Sequence, residues 1–341
     1  MAIEADLVGA LACWGIRAND VVGCEPVSGN GAVRLVELGS GERFVLKDVT
    51  ADAGGLAQRS RLEQQYRLQL HLQRSGVPVA ALGLTTDGHS YAEHEGRLYT
   101  LAPYIANNPH MTREQEEAHY RDTSVAIGKL HRALGTYEGE IESWHMALEP
   151  RFFEQALPAV VGELAGDERA WLAERARQVE PEMRRTLAGL PEQRIHGDCH
   201  GGNVLFHAGR VVGFVDLDHL PVGPRVYGLA YNLVHMVKWR IHDPAATANW
   251  LSHISEVVAG YESVIPLLQA EKQALSPLML GIQLLFAEWF FAHADPDSAR
   301  LNLAAFDWFY EHGAEIRRAL PLPPAIGHDR TGAARHHRSE R

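Results

Sequence analysis

The chain changes character near residue 105, and this change constrains its fold more than any other feature of the sequence. Before that point, apolar and polar residues alternate between turn residues, which predicts strands. From Met111 onward the apolar spacing is that of helices. We therefore expect an α+β protein with a small antiparallel β-rich lobe over residues 1–105 and a larger helical lobe over residues 106–320.

The periodicity predicts particular elements in each lobe. In the small lobe, after a short helix, it predicts strands 21–28, 32–38 and 43–49, helix 56–75, and strands 88–93 and 97–105. In the large lobe it predicts helices 112–134, 167–190, 225–240, 244–263, 266–294 and 297–318, with short strands at 193–196, 203–206 and 211–215. Residues 321–341 are polar and basic without periodicity, so we expect a disordered tail.

The net charge and the cysteine content limit the kinds of binding partner and the cellular compartment that we expect for this protein. The formal net charge is -11, which argues against a general surface for nucleic acid or anionic membranes. The three cysteines include no CxxC pair, so we expect no disulfide framework and a reducing cytoplasm. The acidic N-terminus lacks the basic start of a secretory signal, and no uninterrupted apolar run reaches the roughly 18 residues of a membrane span. The oligomeric state stays open.

The densest polar cluster of the chain is RIHGDCHGGNVLF, residues 194–206, inside the helical lobe. A zinc site could use its two histidines and its cysteine. However, zinc usually takes four ligands, and no second Cys/His pair with ligand spacing occurs elsewhere. A simple glycine turn explains the three glycines but gives no reason for Asp198 and Asn203.

Phosphoryl transfer accounts for more of this cluster. The reaction needs a carboxylate that orients and deprotonates the attacking hydroxyl, and oxygen ligands that hold Mg²⁺ against the phosphates. In the protein-kinase pattern, a metal-binding asparagine follows the catalytic aspartate by five residues, and another aspartate comes later. Asp198 and Asn203 have that spacing. The stretch VVGFVDLDHL then supplies Asp216 at the end of a predicted strand, with Asp218 two residues on.

The small lobe contains groups for a nucleotide in the order that this pattern requires. The strand RFVLK ends in Lys47, which matches the lysine that contacts the α- and β-phosphates and pairs with a helix glutamate. Glu63, sixteen residues on, is the candidate partner. Between the first two strands, SGNGA can present backbone N–H groups to phosphates, although a hairpin turn looks identical. The residues of this candidate phosphate loop are Ser28, Gly29, Asn30 and Gly31.

These motifs resemble those of the aminoglycoside phosphotransferase and choline kinase superfamily. HGDCHGGN resembles its H-G-D-x-H-x-x-N loop, and FVDLD resembles its metal-binding D-x-D strand. The stretch LLFAEWFFAHADPDSARLN is similar to a bacterial branch that contains stress response kinase A and homoserine-kinase-like proteins. The resemblance implies a bilobal protein-kinase-like fold, in which the small lobe binds ATP and the helical lobe carries the catalytic loop, the metal loop and the acceptor site.

The resemblance also implies a role for each matching residue. Asp198 would be the catalytic base, and Asn203 and Asp216 would hold Mg²⁺. Lys47 would contact the phosphates of ATP, and Glu63 would orient Lys47.

Further residues would support the reaction or bind adenine. His196 and His200 would position the catalytic base, and Asp218 would support the metal strand. Backbone groups of the lobe connector hold adenine in this family, which implies Ala102 and Tyr104.

The function expected from these motifs is transfer of phosphate from ATP to a hydroxyl group of a small molecule. An aminoglycoside, an amino alcohol, an amino sugar and a homoserine-like compound are all open as acceptors. A protein Ser/Thr kinase is the second interpretation, although no activation segment with an APE-type anchor is evident. A non-catalytic nucleotide-binding regulator is the third, because Gly228 stands where the family usually has a bracing aspartate.

The acceptor site is expected between Asp198 and the C-terminal helices. Acids near a cleft would favour an ammonium-bearing substrate, and a tryptophan could add a cation–π contact. An ordinary helix core explains the neighbouring apolar residues equally well. The candidate substrate residues are Glu288, Trp289, His293 and Asp295, with Asp297 next to them.

Overall fold

The computed structural model describes residues 5–27, 31–50, 55–107, 117, 119–218 and 220–320. Three predictions lie wholly or partly outside these residues. They are the phosphate loop at Ser28, Gly29 and Asn30, the start of the predicted helix 112–134, and the tail 321–341.

In its described residues, the small lobe is one antiparallel sheet with two α-helices and a 3₁₀ turn at Ala18–Asp20. Its elements are α1 (Ala5–Ala12), β1 (Val21–Pro26), β2 (Val33–Leu38), β3 (Arg43–Asp48), α2 (Gly55–Arg74), β4 (Ala92–His94) and β5 (Arg97–Pro103). The strand order is β1-β2-β3-β5-β4. The predicted three-strand meander, the long helix and the last strand are therefore confirmed. The strand predicted at 88–93 is shorter and begins later, at Ala92, because hydrogen bonds between Thr85 and His89 close a turn in the residues before it.

The sheet forms because one face of the alternating strands is apolar. Val36, Leu46 and Leu101 turn inward from β2, β3 and β5, and Leu7 and Leu11 of α1 pack against the same cluster. Burial of such side chains stabilises the lobe by roughly 1.5–3 kcal/mol for each large one.

The large lobe is helical, with two short pairs of strands. Its helices are α3 (Tyr120–Gly135), a helical stretch at 148–163 (α4), α5 (Gly166–Leu187), α6 (Val226–Val237), α7 (Pro244–Glu262), α8 (Gln269–Ala292), α9 (Pro296–Glu311) and α10 (Gly313–Ala319). Its strands are β6 (Glu192–Arg194), β7 (Val204–His207), β8 (Arg210–Phe214) and β9 (Val222–Pro224). β6 pairs with β9, and β7 pairs with β8.

Three elements of the large lobe differ from the sequence prediction. The helical stretch α4 was not predicted, because it contains Pro150 and Pro158 and because Arg151–Ala156 takes the wider π-helical turn, which departs from the 3.6-residue spacing. Strand β9 was also not predicted, because three residues are too few for a visible alternation. The predicted helix 297–318 ends at Glu311 and restarts at Gly313, so α9 and α10 are separate.

Helix α8 lies in the core of the large lobe. It is long and apolar enough to cross a membrane by length and composition, but 67% of its apolar window is buried inside the protein. Leu278, Ile282 and Leu284 are among its fully covered side chains. We therefore describe α8 as the central core helix, against which α6 and α9 pack.

Candidate active site

The carboxylate of Asp198 is held from two sides. Asn203 Nδ2 donates to Asp198 Oδ2 at 2.9 Å and to the main-chain oxygen of Asp198 at 3.0 Å. On the other side, the hydroxyl of Tyr231 donates to Asp198 Oδ1. Gly197, just before it, has a φ of 76°, a conformation that glycine adopts without strain. The tight loop therefore presents a fixed, half-exposed carboxylate.

The surroundings of Asp198 keep it ionised. Burial alone would raise its pKa, but hydrogen bonds from His200 and Tyr231 outweigh burial and hold the pKa below its usual value. A carboxylate that is charged at neutral pH can orient a hydroxyl group and accept its proton.

The two loop histidines tie this loop together. His196 is buried, and its Nε2–H donates to the main-chain oxygen of Val215 at 2.9 Å, which links the catalytic loop to the strand before Asp216. His200 Nδ1 accepts from the N–H of Gly202 at 2.8 Å, and its Nε2 lies 3.5 Å from Asp198 Oδ2. Both contacts are of the kind that the predicted positioning role requires.

A zinc site finds no support in the described part of the chain. There, no group of three or more His, Cys, Asp and Glu side chains is arranged to hold a metal ion. Cys199 is fully buried, and burial raises the pKa of its thiol, so it stays protonated.

Asn203 and Asp216 lie next to each other at the open end of the β7–β8 hairpin. Asn203 directly precedes β7, and the pair Val204–Phe214 closes the hairpin beside it. The N–H of Val215 donates to the main-chain oxygen of Asn203 at 3.0 Å, which fixes the two segments side by side. Amide and carboxylate oxygens are the donors that Mg²⁺ prefers, so this pair fits a Mg²⁺ ion.

Lys47 of β3 contacts two aspartates, Asp216 and Asp218. Its Nζ forms an ion pair with Asp218 and lies 3.8 Å from Asp216 Oδ1. Gln65 of α2 donates through Nε2 to the other oxygen of Asp218. Asp218 therefore connects β3 and α2 to the segment that follows β8. Its partners are Lys47 and Gln65.

The predicted pairing of Glu63 with Lys47 is wrong in this structure. Glu63 Oε1 instead accepts from the N–H of Ser90 at 3.1 Å and lies 3.6 Å from His89. Residues two apart on a helix point about 200° apart. Because Gln65 faces Asp218, Glu63 must face away from it. Sequence spacing alone did not show which side of α2 faces the cleft.

The prediction that Tyr104 offers its N–H to adenine is also wrong, because that N–H donates to the main-chain oxygen of Arg43 at 2.9 Å. Backbone groups alternate sides along an antiparallel pair, so those of Ala102 turn toward β3 as well. The groups left on the other side belong to Pro103 and Ile105.

The predicted substrate residues have local partners. Glu288 forms an ion pair with Arg151 at 2.5 Å, and Asp295 caps α9 by accepting from the N–H of Ser298 at 3.0 Å. Trp289 and His293 stack on one another, with ring centroids 4.0 Å apart. Glu288 and Asp295 therefore do not form a free acidic surface for an ammonium group.

Sequence reasoning missed three polar residues near Asp198, two on one face of α6 and one in the 3₁₀ turn Lys238–Arg240 that follows it. Tyr231, His235 and Lys238 succeed one another at spacings of four and three residues, and the ring of His235 lies 5.3 Å from that of His200. Polar residues at helical spacing in an otherwise apolar segment were the available signal.

Gly228 has a structural reason in this chain. A Cβ at this position would lie 2.7 Å from Cε1 of His131, which is fully buried and contacts the hydroxyl of Tyr261 through Nδ1 at 2.9 Å. The imidazole of His131 therefore occupies the space beside α6 that a side chain at position 228 would need.

Comparison with known proteins agrees with this geometry. Residues 23–266 match the phosphotransferase enzyme family (APH), so the chain belongs to that family. Stress response kinase A of Salmonella paratyphi A is 27% identical over 256 residues, covering 72% of this chain and 70% of the relative. Homoserine kinase of Hyphomonas neptunium is 26% identical over 233 residues, covering 64% of this chain and 66% of the relative.

Solved structures of other kinases have the same fold. An aminoglycoside phosphotransferase from Alicyclobacillus acidocaldarius has a TM-score of 0.68 at 13% identity, covering 91% of this chain and 94% of that one. A microcompartment-associated aminopropanol kinase has a TM-score of 0.68 at 18% identity, covering 91% of this chain and 97% of that one. The predicted α+β kinase-like fold is confirmed, and the chain is a phosphotransferase.

Proposed function

We propose that this protein is a cytoplasmic ATP-dependent kinase that phosphorylates a hydroxyl group of a small molecule. One observation carries the proposal: the Asp198 carboxylate is fixed between Asn203 and Tyr231. Lys47 contacts Asp216 and Asp218, which follow β8. A base, a pair of metal ligands and a phosphate-binding lysine are the parts that phosphoryl transfer uses.

In the proposed reaction, the acceptor hydroxyl binds to Asp198, which orients it and takes its proton. A bond forms between the acceptor oxygen and the γ-phosphorus, the bond from that phosphorus to the β–γ bridging oxygen breaks, and ADP leaves. Lys47 exchanges part of its contact with the aspartates for the phosphates of ATP. Mg²⁺, held by Asn203 and Asp216, would neutralise phosphate charge.

Adenine would be held at the lobe connector. With Tyr104 N–H bonded to Arg43, the connector offers the C=O of Pro103 and the N–H of Ile105. An acceptor and a donor two residues apart can pair with the edge of a purine. We propose these two groups in place of Ala102 and Tyr104.

The names of relatives and structural neighbours indicate which classes of acceptor to consider. They include an aminopropanol kinase, a homoserine kinase and an aminoglycoside phosphotransferase. An aminoglycoside, an amino alcohol, an amino sugar and a homoserine-like compound are therefore all in the proposed class. We propose no nucleic-acid or membrane partner.

A protein kinase is the second candidate function. A relative named serine/threonine protein kinase RdoA, from Salmonella typhimurium, is 27% identical over 256 residues, covering 72% of this chain and 70% of the relative. A non-catalytic regulator is less well supported, because Lys47, Asp198, Asn203 and Asp216 are all present.

The proposal is tested by incubating the purified protein with ATP and Mg²⁺ against a panel of small alcohols and a generic protein substrate. ADP release and the mass of the phosphorylated product are followed. Formation of a phosphorylated small molecule is the expected result. Phosphorylation of the protein substrate alone would favour the second candidate, and ATP binding with no transfer to any acceptor would favour a regulator.

A further inference from the structure

Lys238 is a buried cation in the 3₁₀ turn Lys238–Arg240, which directly follows α6. Its side chain is 3% exposed, and its Nζ lies 3.5 Å from the ring centroid of Phe286 and 4.7 Å from that of Trp239. Among the residues that the structure describes, no carboxylate lies within ion-pair distance of this ammonium group. Lys238 is thus held by aromatic faces alone.

Such a placement is costly for a lysine. Moving an ammonium ion from water into the protein interior costs free energy unless a partner stabilises the charge. Contacts with two aromatic rings offset only part of this desolvation cost. Burial lowers the pKa of Lys238 to about 8, and the negative charge of Asp198 opposes this shift. Nearby, Nδ1 of His235 is also buried and finds no hydrogen-bond partner in the described residues. This side of the molecule therefore has a lysine without a carboxylate partner and a histidine nitrogen without a hydrogen bond among the described residues.

These groups lie beside the catalytic base. The ring of Phe286, which covers Lys238, is 5.4 Å from the ring of Tyr231, whose hydroxyl donates to Asp198. Tyr231 and Lys238 are seven residues apart, which along a helix corresponds to about 10 Å. A molecule of a few carbon atoms can span from a hydroxyl at Asp198 to a charged group at Lys238.

The neighbouring charges favour an anion of low charge. Arg151 is paired with Glu288 and Arg240 with Glu117, so the guanidinium groups on adjacent elements already have partners. Phosphate groups carry more than one charge and are usually bound by several donors, whereas a single ammonium group balances one negative charge, as on a carboxylate. Glu288 and Asp295, two of the acids expected to attract an ammonium-bearing substrate, already contact Arg151 and the N–H of Ser298.

We propose that the phosphate acceptor is a small hydroxy acid whose carboxylate pairs with Lys238 while its hydroxyl faces Asp198. This inference rests on the proposed function, and it narrows the acceptor class. Hydroxy amino acids and simple hydroxy acids belong to this class. Polycationic aminoglycosides and carboxylate-free amino alcohols lie outside it.

The test uses acceptors that differ only by the carboxylate. L-serine is compared with ethanolamine, L-homoserine with 3-aminopropan-1-ol, and 4-hydroxybutyrate with propan-1-ol, in the presence of ATP and Mg²⁺. For at least one pair, the acid is expected to have a kcat/KM about 100-fold higher, with most of the difference in KM. The variant Lys238→Met should bring that ratio to within about fivefold. The matched control Lys129→Met, at an exposed lysine of α3, should keep the wild-type ratio.

Several outcomes would overturn the proposal. They are equal or better use of the carboxylate-free alcohols, an acid preference that survives Lys238→Met, and loss of turnover of all acceptors alike in that variant. Calorimetric titration of the wild type with the same compounds separates this inference from the proposed function. Lys238-dependent binding of an acid without phosphorylation would support the inference and contradict the kinase. Failure of every acid either to bind or to react would contradict the inference.

Discussion

The hydroxyl of Tyr231 donates a hydrogen bond to Asp198 Oδ1, across 33 positions of sequence. This bond stabilises the ionised carboxylate and helps to hold the pKa of Asp198 below its usual value. It also fixes the direction in which the second oxygen of Asp198 meets a substrate.

Replacing Tyr231 with phenylalanine should therefore raise the pKa of Asp198. Since the reaction needs the ionised base, the acidic limb of the pH profile of kcat/KM should move to higher pH. At neutral pH, where Asp198 is ionised in both proteins, kcat should fall by about tenfold because the carboxylate is no longer held in one orientation. Tyr227→Phe is the control, because it removes a neighbouring buried hydroxyl that does not bond to Asp198. An unchanged acidic limb in Tyr231→Phe would show that this bond does not tune the base.

Gln65, and not Glu63, should support ATP use from α2. Gln65→Ala removes a donor to Asp218, which frees Asp218 to shift against Lys47, so KM for ATP should rise by about threefold to tenfold. Glu63→Ala on the same helix should leave KM for ATP near the wild-type value, since its carboxylate contacts Ser90. Steady-state kinetics with varied ATP distinguish the two. A larger rise in KM for ATP in Glu63→Ala than in Gln65→Ala would show that Glu63 is the residue of α2 that supports Lys47.

A side chain at position 228 should destabilise the protein. Gly228→Ala places a Cβ 2.7 Å from Cε1 of His131, which cannot move freely because it is fully buried. Overpacking of this kind costs about 1–3 kcal/mol in the free energy of unfolding, measured by urea denaturation. The double variant with His131→Ala should recover part of the loss that Gly228→Ala adds. Additive losses in the double variant would place the strain elsewhere.

Chelation should abolish activity without unfolding the protein. Asn203 and Asp216 provide oxygen ligands suited to Mg²⁺, and the structural cluster that a zinc-dependent fold needs is absent from the described residues. EDTA should stop turnover with unchanged circular dichroism, and added Mg²⁺ should restore it. Loss of the fold together with stoichiometric zinc would contradict this account.

The sequence predicted the framework of the site better than its contacts. The sheet, the long helices and the loop from His196 to Asn203 follow from periodicity and short motifs, because these depend on neighbours in the chain. Tyr231 and Lys238 were missed because their proximity to Asp198 arises only when α6 and the turn after it pack beside the catalytic loop.

The two corrected assignments have a similar origin. Glu63 and Gln65 differ by two positions, and only the packed orientation of α2 decides which one faces Asp218. Tyr104 lies in the lobe connector as predicted, but the continued pairing with β3 takes its N–H. Spacing along the chain locates an element, and tertiary packing decides which of its groups are available.

The most direct test of the central claim is the kcat of Asp198→Asn with an identified acceptor at saturating ATP and Mg²⁺. Asparagine keeps the size of the side chain but removes the proton-accepting charge. kcat should therefore fall by about a thousandfold, while nucleotide affinity measured by titration stays near the wild-type value. A kcat within a few fold of the wild type would contradict the assignment of Asp198 as the base of a phosphotransferase.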